Sequence, residues 1–319
     1  MSIFKLKSFW VILLSLLATA GICVALLFVF PLPETNYIKA FYDKEMKLKS
    51  IADAKKIIFI GGSNLAFGLH SDMVQKAYPD YQVINMGLNA GVGLKTMIDQ
   101  VQPYVGKDDI VIITPEYEQF SNLFFGNSAD LYLEVLIDQP RFIKLMSIHS
   151  VPSILEAFPS ALQIRAIAML QKALGKDAPP SVYKRDAFNQ FGDVNSHTEV
   201  DSTKLDPREY ADVSYKDTKF RNKEAAIAYI KGFRDYCSGK EARMYIGYPV
   251  FLHSIYQRST KEINSIHEAI TAAGIDVLYS PAQSVYADTL FLDTTYHLLY
   301  RGSAIRTADL VGYMQAGIR

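Results

Sequence analysis

Three places in the chain combine residue types suited to acyl chemistry with positions where a β-strand would end. The first is Ile60-Gly61-Gly62-Ser63-Asn64. A serine directly after a short apolar run, on a glycine turn entering a helix, holds its hydroxyl at the free helix amides. Such amides stabilise a developing oxyanion; the same placement also suits a simple helix N-cap. The second is Asn85-Met86-Gly87-Leu88-Asn89, where Gly87 lets a ligand approach the backbone and offers a second amide. The third is Asp293-Thr294-Thr295-Tyr296-His297. A histidine takes a proton from serine only when its other ring nitrogen is fixed by an acceptor, and Asp293 supplies one if the segment turns.

Two other carboxylates, Glu116 and Glu118, follow Pro115 at the end of an apolar run, and alternation puts both on one face if the strand continues. Glu116 and Tyr117 are therefore candidates for substrate contact; the plainer reading of the carboxylates is solvated strand-end charge. The remaining histidines (His70, His149, His197, His253, His267) show no paired ligand spacing, so no metal site is expected. The glycines around Ser63 lack the G-x-G-x-x-G spacing of a dinucleotide fold, and no cofactor is expected.

The elements that must position these residues alternate. Short β-branched runs at 57–60, 82–86, 109–114, 244–250 and 275–278 are separated by helical segments near 64–78, 92–105, 223–237 and 257–273, with a last helix near 303–316. Solid apolar strands alternating with helices predict an α/β fold with a parallel sheet covered on both faces. Residues 117–222 interrupt the rhythm as an insertion, mainly helical to about 175 and then polar and turn-rich. That polar stretch is long for a compact domain and reads as a functional loop or a disordered one.

From Phe9 to Phe30 the sequence has 22 consecutive residues without a charge, preceded by Lys5 and Lys7. As a helix this run spans roughly 33 Å, enough to cross a bilayer with residues 1–8 cytoplasmic and the rest outside. Apolar character continues well past the small residues Ala18-Thr19-Ala20, which favours an uncleaved anchor over a signal peptide. Residues 31–55 have helical apolar spacing and read as a juxtamembrane stalk, or as the first surface helix of a domain spanning 56–319. Lys plus Arg and Asp plus Glu are equal at 33 each, so no broad basic face for nucleic acid exists. Two cysteines, Cys23 and Cys237, provide no disulfide framework.

Ser63 on the first strand–helix turn, Gly87 after the second strand and an Asp–His pair before the last helix together resemble the SGNH (GDSL-type) hydrolase superfamily. More narrowly, the chain is similar to the membrane-anchored SGNH-like proteins of bacterial surface-polymer O-acylation systems, the DltD and AlgJ group. The segments Phe291–Leu298, Pro115–Glu118 and Ala187–Asp193 carry that likeness. The resemblance implies a three-layer α/β/α, flavodoxin-like domain with Ser63 as nucleophile, His297 as general base and Asp293 orienting it. The amides of Ser63 and Gly87 would form the oxyanion hole, with Asn89 in place of a missing asparagine amide. It implies a serine esterase or O-acyltransferase acting on a surface polysaccharide or glycolipid, with a membrane-bound O-acyltransferase as partner. The alternative is a non-catalytic accessory or scaffold protein in such a system. Two positions depart from the family pattern. The usual acid position, three before the histidine, is Thr294, and the usual G-x-N-D asparagine is replaced by the Thr114-Pro115-Glu116-Tyr117 stretch.

Overall fold

The computed structural model describes residues 3–29, 34, 36–137, 139–176, 181–198 and 213–318. The strands are β1 Lys56–Gly61, β2 Gln82–Asn85, β3 Ile110–Thr114, β4 Arg243–Ile246, β5 Phe251–Leu252 and β6 Val285–Tyr286. The helices are α1 Ile3–Val29, α2 Ala40–Ser50, α3 Ser63–Ala66, α4 Ser71–Ala77, α5 Leu94–Val101, α6 Ala129–Ile137 and α7 Val151–Ala173. They continue with α8 Lys223–Gly239, α9 His253–Ala272 and α10 Tyr300–Gly317.

The main sheet is parallel, in the order β2-β1-β3-β4. Every residue of β1 and β3 is buried, which is why both read as unbroken apolar runs rather than alternating ones. Right-handed crossovers on this strand order put the β1-to-β2 connection on one face and the β2-to-β3 and β3-to-β4 connections on the other. The packing agrees: α4 lies on β2 and touches α10, whereas α5 lies on β1 and touches α8, which covers β4. The molecule is thus an α/β protein with a parallel sheet, in an arrangement compatible with three α/β/α layers.

Four details differ from the sequence-based expectation. The helix expected at 64–78 is two helices, because the chain turns at Phe67–His70, where a Cβ on Gly68 would sit 2.1 Å from Asn64 O. The strand expected at 275–278 makes a single parallel bridge, Ile246 to Val277, since β4 itself ends at Ile246. The expected strand at 244–250 is likewise β4 alone, with Phe251–Leu252 pairing separately with β6. The segment expected as a stalk belongs instead to the domain. Ile38, Phe41, Tyr42 and Leu48 are buried in the main core, and α2 packs on α5.

The insertion holds α6 and α7, as expected, and part of its polar stretch is firmly docked; 177–180 and 199–212 lie outside the described residues. Residues 185–194 plug the β2 edge of the sheet. Asn85 N donates to Phe191 O (2.8 Å), Val194 N to Ala66 O (2.8 Å), and the buried Lys44 ammonium to both Asn85 O (2.8 Å) and Gly192 O (2.6 Å). Gly192 has φ +95 and its Cβ position lies 2.2 Å from Asn85 O, so only glycine allows this approach. Burial pushes the Lys44 ammonium down to about 7, with the Asp193 charge opposing it.

α1 is one continuous helix of 27 residues most of whose described side chains, Phe9, Trp10, Leu14 and Leu17 among them, are exposed. By length and composition Ile148–Ala173 is the one described stretch long and apolar enough to cross a membrane, and Lys7–Cys23 is a shorter apolar stretch.

Candidate active site

The three strand-end features converge at the same end of the sheet. β1 delivers Ser63 through Gly61 and Gly62, and the backbone here is crowded: a Cβ on Gly62 would sit 2.4 Å from Glu116 Oε1. Both glycines are therefore required by the neighbouring strand end as much as by the turn itself. Ser63 begins α3, and Phe67 N closes the turn on Ser63 O (2.9 Å).

The segment 291–298 is a tight hairpin, bridged at Phe291–Leu298 and closed by Leu292 N donating to His297 O (2.8 Å). This turn brings Asp293 and His297 together, with His297 Nδ1 2.8 Å from Asp293 Oδ1. Thr294 caps the turn: its hydroxyl accepts from Tyr296 N and His297 N, both at 3.2 Å.

A third group completes this pair. The Tyr183 phenol donates to Asp293 Oδ2 and lies 3.0 Å from His297 Nδ1. Burial works to raise the Asp293 carboxyl, but the bonds from His297 and Tyr183 outweigh it and leave Asp293 below the usual carboxylate range. Burial, then the bond to Asp293 and its charge, holds Tyr183 protonated well above a normal phenol. An acceptor on Nδ1 assigns the histidine proton to that nitrogen and leaves Nε2 free to take one. Phe67 stacks flat on the His297 ring, centroids 4.3 Å apart at 19°, and fixes its plane.

Ser63 itself is not bonded to His297. Its hydroxyl donates to Glu116 Oε1 at 3.1 Å, and Asn64 N donates to the same oxygen at 2.8 Å. Glu116 is not a solvated strand-end charge: it is buried, and it caps the turn Tyr117–Phe120 by accepting from Gln119 N while Gln119 Oε1 accepts from Glu116 N (3.0 Å). Burial, and then the Glu118 charge, raise its carboxyl above the usual range. Glu118 points elsewhere, accepting from the Tyr215 and Tyr296 hydroxyls, the latter at 2.7 Å. The two carboxylates thus do not share one exposed face. Tyr117 is fully buried against Phe251 and Tyr215, so it is a core residue and not a substrate platform.

Of the expected oxyanion donors, the Gly87 amide is engaged. Gly87 N donates to Asn85 Oδ1 (2.8 Å), and the exposed Asn89 uses its oxygen to hold Gly91 N (2.7 Å). Two residues at the site had no local sequence signal. Tyr183 arrives from the insertion, 114 residues away from His297 in the chain. His197 also packs on Phe67, centroids 5.4 Å apart, buried with neither ring nitrogen bonded among the described residues. Desolvation pushes His197 down to about 4, so it is neutral at neutral pH.

Because folding raises the Glu116 carboxyl, the folded chain holds that proton more tightly than the unfolded one. The stability this proton contributes is full below 4.5, the ordinary value, and is lost as pH rises through the higher folded value. Glu116→Gln is therefore expected to remove a decline in stability as pH rises above 4.5, seen as a urea midpoint that stays flat where that of wild type falls. Equal slopes in the two proteins would contradict this assignment.

No protein-family model matches the chain, and no curated protein matches it.

Proposed function

We propose that the chain is a membrane-anchored serine esterase or O-acyltransferase with an SGNH-type three-layer domain, held outside the cytoplasm by residues 9–30. Its substrates would be acyl esters of a surface polysaccharide or glycolipid. The observation that carries this reading is the Asp293–His297–Tyr183 cluster, which holds a histidine with a free Nε2 at the strand end where Ser63 emerges. For chemistry, the Ser63 hydroxyl turns from Glu116 to His297 Nε2 and attacks the acyl carbonyl as the proton passes to the imidazole. The collapsing intermediate expels the donor alcohol, which takes the proton back. Water or an acceptor hydroxyl then releases the acyl group by the reverse sequence, and a membrane-bound O-acyltransferase is the partner that would supply the donor.

A second reading, a non-catalytic accessory protein for such a system, draws support from the Ser63–Glu116 bond and the occupied amides of Asn64 and Gly87. Fluorophosphonate labelling separates the two. The first reading expects labelling of wild type and none of Ser63→Ala or His297→Ala, with all three chains equally folded by circular dichroism. An unlabelled, well-folded wild type, together with full polymer acylation in cells carrying Ser63→Ala, would establish the accessory role.

A further inference from the structure

α7 is a poorly accommodated helix. Of its 23 residues only Ala161 and Arg165 are buried, whereas Leu155 (68% exposed), Ile164, Ile167 and Leu170 (59%) face outward on more than one side. A helix apolar around most of its circumference is ordinarily enclosed, and among the described residues this one packs chiefly along α6. Its ends carry Lys144, Lys172 and Lys176, with Arg141 paired to Glu45 (3.1 Å); across 138–177 five basic residues stand against Asp138, Glu156 and Asp177, in a chain of zero formal charge.

Its place in the fold says what covers it. The six residues between Val29 of α1 and Asn36 reach at most about 25 Å, so the turn Tyr37–Lys39 stays close to the exit of α1. Lys39 in that turn pairs with Glu134 of α6 (3.6 Å), and Glu134 pairs with the buried Arg165 of α7 (3.4 Å). One chain of buried ion pairs thus runs from the turn that follows α1 to the middle of α7. The same pairs argue against α7 spanning the bilayer, since Arg165 and Glu134 would have to enter hydrocarbon together.

We infer that α7 lies in the membrane interface, its outward apolar side chains in the acyl region and its flanking lysines at anionic headgroups, so that the domain is held flat on an anionic lipid surface. This rests on α1 being the anchor, and it deepens that reading by fixing which side of the domain faces the bilayer.

The test uses the full chain in vesicles of phosphatidylcholine and phosphatidylglycerol. Trp10 is the only native tryptophan, so a Trp10→Phe background allows a single reporter from Ile167→Trp, with Ile305→Trp on the exposed side of α10 as control. Phosphatidylcholine brominated in its acyl chains is expected to quench most of the emission from position 167 and little from position 305. Equal quenching at the two positions would overturn the inference. So would blue-shifted emission at 167 that brominated lipid leaves unchanged, which would mean a protein covers the helix. Extraction by alkaline carbonate reports separately on α1. A chain that resists extraction without quenching at 167 keeps its anchor and loses this surface; an extractable chain quenched at 167 does the opposite.

Discussion

Asp193→Ala is expected to cost about 3–5 kcal/mol of stability, the range for removing one partner from a buried charged cluster. The carboxylate is buried and accepts four bonds: from Ser71 N (2.8 Å), Ser71 Oγ (2.6 Å), Asn85 Nδ2 (2.8 Å) and Asn189 Nδ2 (3.3 Å). Its charge also opposes the desolvation of Lys44. Alanine leaves those donors without their acceptor and removes the carboxylate that balances the buried ammonium. Lys44 then has only the carbonyls of Asn85 and Gly192 to hold it. Asp193→Asn keeps one acceptor oxygen and loses the charge, so its loss is expected to be intermediate. Adding Lys44→Met to Asp193→Ala is expected to recover part of the deficit, because no unbalanced cation remains. Urea unfolding of the four proteins measures this. A loss within the ~0.5 kcal/mol of an ordinary surface substitution would show that the plug is held by its backbone bonds alone.

That plug also explains what was legible in the sequence and what was not. Strand β1 was visible because Ile57–Ile60 is a β-branched run stopped by two glycines, and β3 because Ile110–Thr114 is another. Both are buried on two faces, so local composition and tertiary burial agree. The helical spacing of Tyr37, Ile38, Phe41 and Leu48 was equally visible, yet periodicity gives an apolar face without naming what covers it. Here α5 and the domain core cover it, so the segment is no stalk.

The site divides the same way. Asp293 and His297 are four residues apart, and a hairpin unites them, so sequence proximity carried the pairing. Tyr183 reaches them only because Asn85, Gly192 and Asp193 dock residues 185–194 on the sheet, a long-range event with no local mark. Glu116 was visible as a carboxylate at a strand end. Its burial against Ser63 depends on Gly62 having no side chain, a constraint that emerges only when two strand ends meet.

The same geometry sets the sharpest expectation for activity. In Asp293→Asn the new amide presents an N–H or a carbonyl to His297 Nδ1, in a pocket also holding the Tyr183 phenol. Where the amide donates, Nδ1 must accept, the ring proton moves to Nε2, and the imidazole can no longer take a proton from Ser63. In Ser-His-Asp enzymes that exchange lowers turnover by about 10⁴-fold while leaving the structure intact, and a loss of that order is expected here in fluorophosphonate labelling rate. Tyr183→Phe removes the donor to Asp293 but leaves the Asp293–His297 bond, so the tautomer is preserved and the expected loss is much smaller, about tenfold, at the scale of one hydrogen bond to a charged group. The ordering is the discriminating result. A positioning cluster gives Asp293→Asn far below Tyr183→Phe, with both chains unfolding at wild-type urea midpoints to within ~1 kcal/mol. If the two substitutions reduced labelling equally and in proportion to lost stability, the cluster would be a structural tie between the insertion and the last hairpin. The proton would then have to leave Ser63 toward Glu116, the carboxylate already bonded to it.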